Sequence, residues 1–144
     1  KQDSELPDYG KAGVFFKSVS FDPVIITTGQ EVWESLIAAE MLRKDGINAT
    51  VVNVAYLKPF DVDTICTESC RRHVFVIEAH NPQTGLAGLV SYALMNDKDG
   101  VNVKSFTAMG ITGYVPSGTI EEQKKYCGLL GAQIYQRIRE QTRK

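Results

Sequence analysis

Cysteine is scarce in this 144-residue chain, and the three present do not pair off. Cys66 and Cys70 stand four apart, Cys127 stands alone, and no second pair or suitably spaced histidine completes a zinc set. Semi-buried thiols in a reducing, intracellular setting are the expectation. Long apolar runs are also missing: no stretch of about 18 or more exists, and the first residues show no charged segment leading into an apolar one. Neither a membrane span nor a signal peptide is therefore expected, and a cytoplasmic location is. Charge of neither sign dominates, with 16 Lys and Arg against 17 Asp and Glu and a net charge of −1. The basic residues are scattered, so the electrostatic footprint of a nucleic-acid partner is lacking. The G-x-G-x-x-G and G-x-x-x-x-G-K-S/T phosphate loops are absent, as is the G-x-S-x-G elbow of a serine nucleophile.

What remains is ordinary globular composition, 43 % hydrophobic and 23 % charged, in a chain long enough to bury about two-thirds of its unfolded surface. Residues 1–11, KQDSELPDYGK, are polar and aperiodic and read as a linker from a preceding domain, which leaves 12–144 as one domain. Strand-like runs at 13–19, 24–29, 49–57, 74–79 and 101–109 alternate with helical patterns at 31–46, 61–73, 86–97 and, across a break at Gly128, from 119 to the C-terminus. Thr28 and Glu31, and again Thr119 and Glu122, have the spacing of a capping box. Lys44 and Gly46 mark the end of the first helix. Asp61 is placed to cap the second, and Arg71, Arg72 and His73 are expected to complement its C-terminal dipole. Such alternation implies right-handed crossovers and a three-layer α/β/α fold, with a mixed, mostly parallel sheet of about five strands, one antiparallel. The first run returns through the short SFDP turn, too short for a crossover, so it belongs antiparallel to its neighbour or at an edge.

In such sheets ligands gather at the C-terminal ends of the strands, and there the stretch 77-IEAHNPQTGLAG-88 is the most suggestive. Glu78 and His80 alternate on the strand and so point to the same side, where a general acid–base pair could work. The plainer reading is that the Glu78 carboxylate accepts hydrogen bonds from the N–H groups of the glycine-rich passage, with His80, Asn81, Gly85 and Gly88 forming a loop that faces solvent or another subunit. No catalytic, cofactor-binding or metal-binding residue is assigned. The capped helix starts at Thr28 and Thr119 leave open a module that holds a small anion or nucleotide.

Several stretches in order resemble the C-terminal domain of transketolases and other thiamine-diphosphate enzymes. They are 24-VIITTGQEV-32, 46-GINATVVNVAYLKPFD-61, 74-VFVIEAHNPQTGLAGLV-90 and 117-SGTIEEQKKYCGLLGAQI-134. The late Ser-Gly and Gly-Leu resemble transketolase and the deoxyxylulose-phosphate synthases. Where 2-oxo-acid dehydrogenase β-subunits usually carry an Asp-x-Pro-x-Pro-like segment, this chain has 112-TGYVPSG-118. The resemblance implies a domain that supports a homodimer and buttresses the other domains of an enzyme moving a two-carbon ketol unit between sugar phosphates. It also implies that thiamine diphosphate and Mg²⁺ are held by those N-terminal and middle domains, through motifs not found in this chain. The β-subunit of a 2-oxo-acid dehydrogenase is the alternative within the family.

Overall fold

A computed structural model describes residues 7–142. The element order is β1 (Gly13–Phe15), β2 (Val24–Thr27), α1 (Glu31–Lys44), β3 (Thr50–Asn53), α2 (Val62–Ser69), β4 (His73–Ile77), α3 (Leu86–Asn96), β5 (Ser105–Met109), α4 (Ile120–Cys127) and α5 (Gly131–Thr142). The strands lie in the order β1-β3-β2-β4-β5. β1 runs antiparallel to β3 at the edge, and the other three pairings are parallel. This is the expected five-strand mixed α/β sheet.

Alternation along the buried strands sorts two cores. Val24, Ile26, Val74 and Val76 face Ile65 of α2 and Leu86, Val90 and Leu94 of α3. Ile25, Phe75 and Ile77 face Ala38 and Leu42 of α1 and Ile134 and Ile138 of α5. Because both faces of the central strands are covered, they read as near-continuous apolar runs, VIIT and VFVI, rather than as alternating ones. Helices α1 and α5 meet so closely that a Cβ on Gly131 would lie 2.6 Å from Ile37 Cγ2, so α5 must begin on a glycine.

Several local expectations are corrected. Regular strands are shorter than the apolar runs suggest, because a ladder ends where its neighbour ends. β3 stops at Asn53 one residue before Val54 N–H reaches Thr27 O, at the end of β2. Residues 101–104 precede β5 as irregular chain, although Val101 and Val103 still pack on the core. The Thr28/Glu31 capping box does not form: Gln30 occupies the N-cap without a side-chain bond, and the Thr28 hydroxyl donates to Val54 O at 2.7 Å. The Arg71, Arg72 and His73 cluster does not sit on the end of α2, which stops at Ser69 with no basic residue in its last turn. Instead Arg72 is buried, donating to Thr50 Oγ1 at 2.7 Å and Ser18 O at 2.8 Å beside Glu68, and His73 opens β4 with Nδ1 2.8 Å from Ser105 Oγ. Gly46 and Gly128 do end their helices, both at positive φ. Part of the expected linker, residues 1–6, lies outside the described residues. Of the rest, Lys11 Nζ reaches Asp61, as does the N–H of Ala12 just beyond the linker, and the Tyr9 ring meets Tyr56 edge-on.

Candidate functional site

The C-terminal ends of β2, β3, β4 and β5 open onto loops 28–30, 54–61, 78–85 and 110–119. Crossovers leave β2 toward β3 and β4 toward β5, in opposite directions, so the topological switch point lies between β2 and β4. In a nucleotide-binding fold the helix that follows the strand there offers its N–H groups to a phosphate. Here that place at α3 is taken. Glu78 is 1 % exposed, and its carboxylate accepts Leu86 N–H at 2.7 Å and Ala87 N–H at 2.8 Å. The side chain caps α3 from eight residues upstream, the local role expected of it.

Gly85 makes this possible. A Cβ there would sit 1.9 Å from Glu78 Oε2, so no other residue leaves room for the carboxylate. Asn81 Oδ1 accepts Gln83 N–H at 2.9 Å, which closes the turn, and Gly88 lets the helix back onto Gln83 O. β4 ends at Ile77, so the period-2 argument that paired Glu78 with His80 no longer applies. His80 is exposed, its Nδ1 3.3 Å from Asn81 O, while its own carbonyl accepts Ile111 N–H at 2.9 Å and pins this loop to the next. No acid–base pair is assembled from the two.

The other helix starts also carry their own carboxylates. α1 has Glu31 and Glu34 in its first turn. Burial raises the Glu31 carboxyl above its ordinary value, against the opposing pull of Lys124. α2 is capped by Asp61, which accepts from Ala12 N–H at 2.9 Å and Thr64 Oγ1 at 2.8 Å. Burial works to raise the Asp61 carboxyl, but these bonds and Lys11 outweigh it and hold it below its ordinary value. α4 has the expected capping box of Thr119 and Glu122. A diphosphate placed against any of these termini would face a carboxylate, so the residues present do not fit thiamine diphosphate. Among the described residues no three His, Cys, Asp or Glu converge to hold a metal ion. Cys66 is buried under α3 and its thiol pushed up to about 11 by burial and by Asp97, whereas Cys70 is exposed, so the two do not act together.

The cluster that local reading missed joins Lys124 of α4 to Glu31 and Glu34 of α1 at 3.4 and 3.3 Å, with Gly131 N–H donating to Glu34 at 2.8 Å. These partners are some ninety residues apart in sequence, and only the packing of α4 and α5 over α1 brings them together.

The chain matches the model of the transketolase C-terminal domain over residues 17–139. A protein of Methanocaldococcus jannaschii named as a transketolase C-terminal section is 37 % identical over 124 residues, 85 % of this chain and 38 % of that protein. The pyruvate dehydrogenase E1 component subunit beta of Bacillus subtilis (strain 168) is 44 % identical over 93 residues, 63 % of this chain and 27 % of that subunit. The solved structure of a split-gene transketolase, an inactive β4 tetramer, superposes with a TM-score of 0.80 at 23 % identity over 91 % of this chain and 42 % of its own. At that identity the likeness carries the fold alone, and the chain spans about two-fifths or less of the length of these relatives. The match to the family model covers well over half of the sequence, and the chain belongs to the transketolase C-terminal domain family.

Proposed function

We propose that this chain is the C-terminal, dimer-supporting part of a transketolase-like enzyme that transfers a two-carbon ketol unit between sugar phosphates. The cofactor, thiamine diphosphate with Mg²⁺, is held by N-terminal and middle domains, which supply the chemistry. The domain's work is mechanical: it presents the exposed loop of His80 and Asn81, which leads through Gly85 into α3 where Gly88 lies, to another domain or subunit. One observation carries this reading. The helix start at the switch point, where a doubly wound domain would take its own phosphate ligand, is filled by Glu78 and sealed by Gly85. A domain that fills its own anion site is suited to be a scaffold. The cytoplasm, where sugar phosphates are exchanged, is the proposed location.

The test is reconstitution. The 144-residue chain alone is expected to give no heat with thiamine diphosphate and Mg²⁺ in calorimetry, and tight binding would overturn the proposal. Co-expressed with the polypeptide carrying the cofactor-binding domains, it is expected to support ketol transfer from a ketose phosphate to an aldose phosphate. A second reading, part of a 2-oxo-acid dehydrogenase β-subunit, is favoured by the 44 % identity to the B. subtilis subunit. Decarboxylation of pyruvate by the reconstituted enzyme, without ketol transfer, would decide for it.

A further inference from the structure

The switch-point crevice between β2 and β4 is partly open: a cleft of about 190 Å³, closed on one side by α4. Ala79, Ile111, Val115, Ile120 and Leu129 give it apolar walls, the amide residues Gln30 and Gln123 also line it, and Glu31 and Lys124 bring charge. Its volume is below the roughly 300–1,000 Å³ of pockets for drug-sized ligands, so it suits a compact molecule. Its charges do not balance. Glu31 and Glu34 share the single ammonium of Lys124, and Glu34 alone has a further donor, Gly131 N–H. Glu31 is fully buried, and among the described residues its Oε2 has no hydrogen-bond partner. A buried carboxylate oxygen without a donor is rare in folded proteins, because a charged group taken out of water is costly until a donor meets it.

We propose that this cleft binds a compact molecule with an ammonium or amidinium head and an apolar body, the head donating to Glu31 and the body lying along Ile111, Val115 and Ile120. Two carboxylates against one ammonium leave an excess negative charge that attracts a cation and repels an anion. Lys124 stands within reach of both carboxylates on a flexible stem, so it can swing to Glu34 and yield its place at Glu31 to the incoming head. The apolar walls then select against a fully hydrated ion.

The experiment is a titration of the 144-residue chain, followed by amide NMR shifts of Gln30, Ile120, Gln123 and Lys124, with isobutylammonium chloride. Isobutanol and sodium isovalerate serve as controls of similar shape. Saturable shifts confined to these residues with the ammonium, weaker by about tenfold or more in Glu31→Gln, are the expected result; that factor is the loss of one charge-assisted hydrogen bond. Val115→Trp, which fills the cleft without touching its charges, is expected to abolish the shifts. The proposal is overturned if the ammonium gives no saturable shift, if the carboxylate or the alcohol binds as well, or if Glu31→Gln and Val115→Trp both bind like the wild type.

Discussion

At the scale of single residues, the buried carboxylates divide by the sign of their effect on stability. Glu78 accepts two N–H groups that have no other partner at the start of α3, so Glu78→Ala leaves both buried and is expected to cost about 3 kcal/mol in urea denaturation. Gly85→Ala pushes a methyl group into the same carboxylate and should cost about 2 kcal/mol. Because the worst of the clash is with Glu78 itself, leaving only the 3.0 Å approach to Asn81 O when that side chain is gone, the double variant should lose less than the sum. Asp61 and Glu31 respond to pH in opposite directions. The Asp61 carboxyl is lowered, so its stabilisation is present above the ordinary value of 3.8 and is lost as pH falls through the folded value. Asp61→Asn should therefore be less stable than wild type at neutral pH, with the gap closing in acid. The Glu31 carboxyl is raised from 4.5, so its favourable contribution is complete below that value and is lost as pH rises through the folded one. Glu31→Gln should be at least as stable as wild type at pH 7, its advantage vanishing in acid. Denaturation midpoints measured from pH 3 to pH 8 check both.

At the scale of elements, what the sequence showed depended on the range of the interactions involved. The helix ends at Gly46 and Gly128 and the Thr119/Glu122 box were legible because a cap is a matter of four consecutive residues. The Glu78 cap was legible too, as a carboxylate before a glycine-rich turn. The Thr28/Glu31 box had the same spacing and failed, since the hydroxyl found Val54 O on the neighbouring strand and the carboxylate found Lys124 on α4. Arg72 gave no local sign of its burial against Thr50 and Ser18, 22 and 54 residues away. α4 shows what a local cap has to do alone. It buries no residue among those described, unlike the other four helices, so its stability rests more on its capping box, its left-handed Gly128 end and Lys124. Thr119→Ala is expected to cost about 1 kcal/mol, felt mainly as faster amide hydrogen exchange in 120–127 and little in the sheet.

At the scale of the whole molecule, burial separates residues that hold the domain together from residues available to something else. Phe75 is 0 % exposed at the centre of β4, while Tyr114, on the loop after β5, is 91 % exposed. Since β4 is covered on both faces and paired on both sides, truncating Phe75 empties the middle of the sheet. Phe75→Ala should cost about 4 kcal/mol, and the loss should reach every probe of unfolding together, as expected of one cooperative domain. Tyr114→Ala removes no packing of the isolated chain and should leave its stability within about 0.5 kcal/mol of wild type. If the strand-end loops meet the rest of a transketolase-like enzyme, as proposed, the order of effects reverses on assembly. Large exposed aromatics are the residues from which interfaces draw most of their energy. Tyr114→Ala should then weaken association with the cofactor-binding polypeptide by about tenfold or more in sedimentation, with the folded domain unchanged. Unchanged association would mean that this loop stays in solvent and that the domain is held by another face.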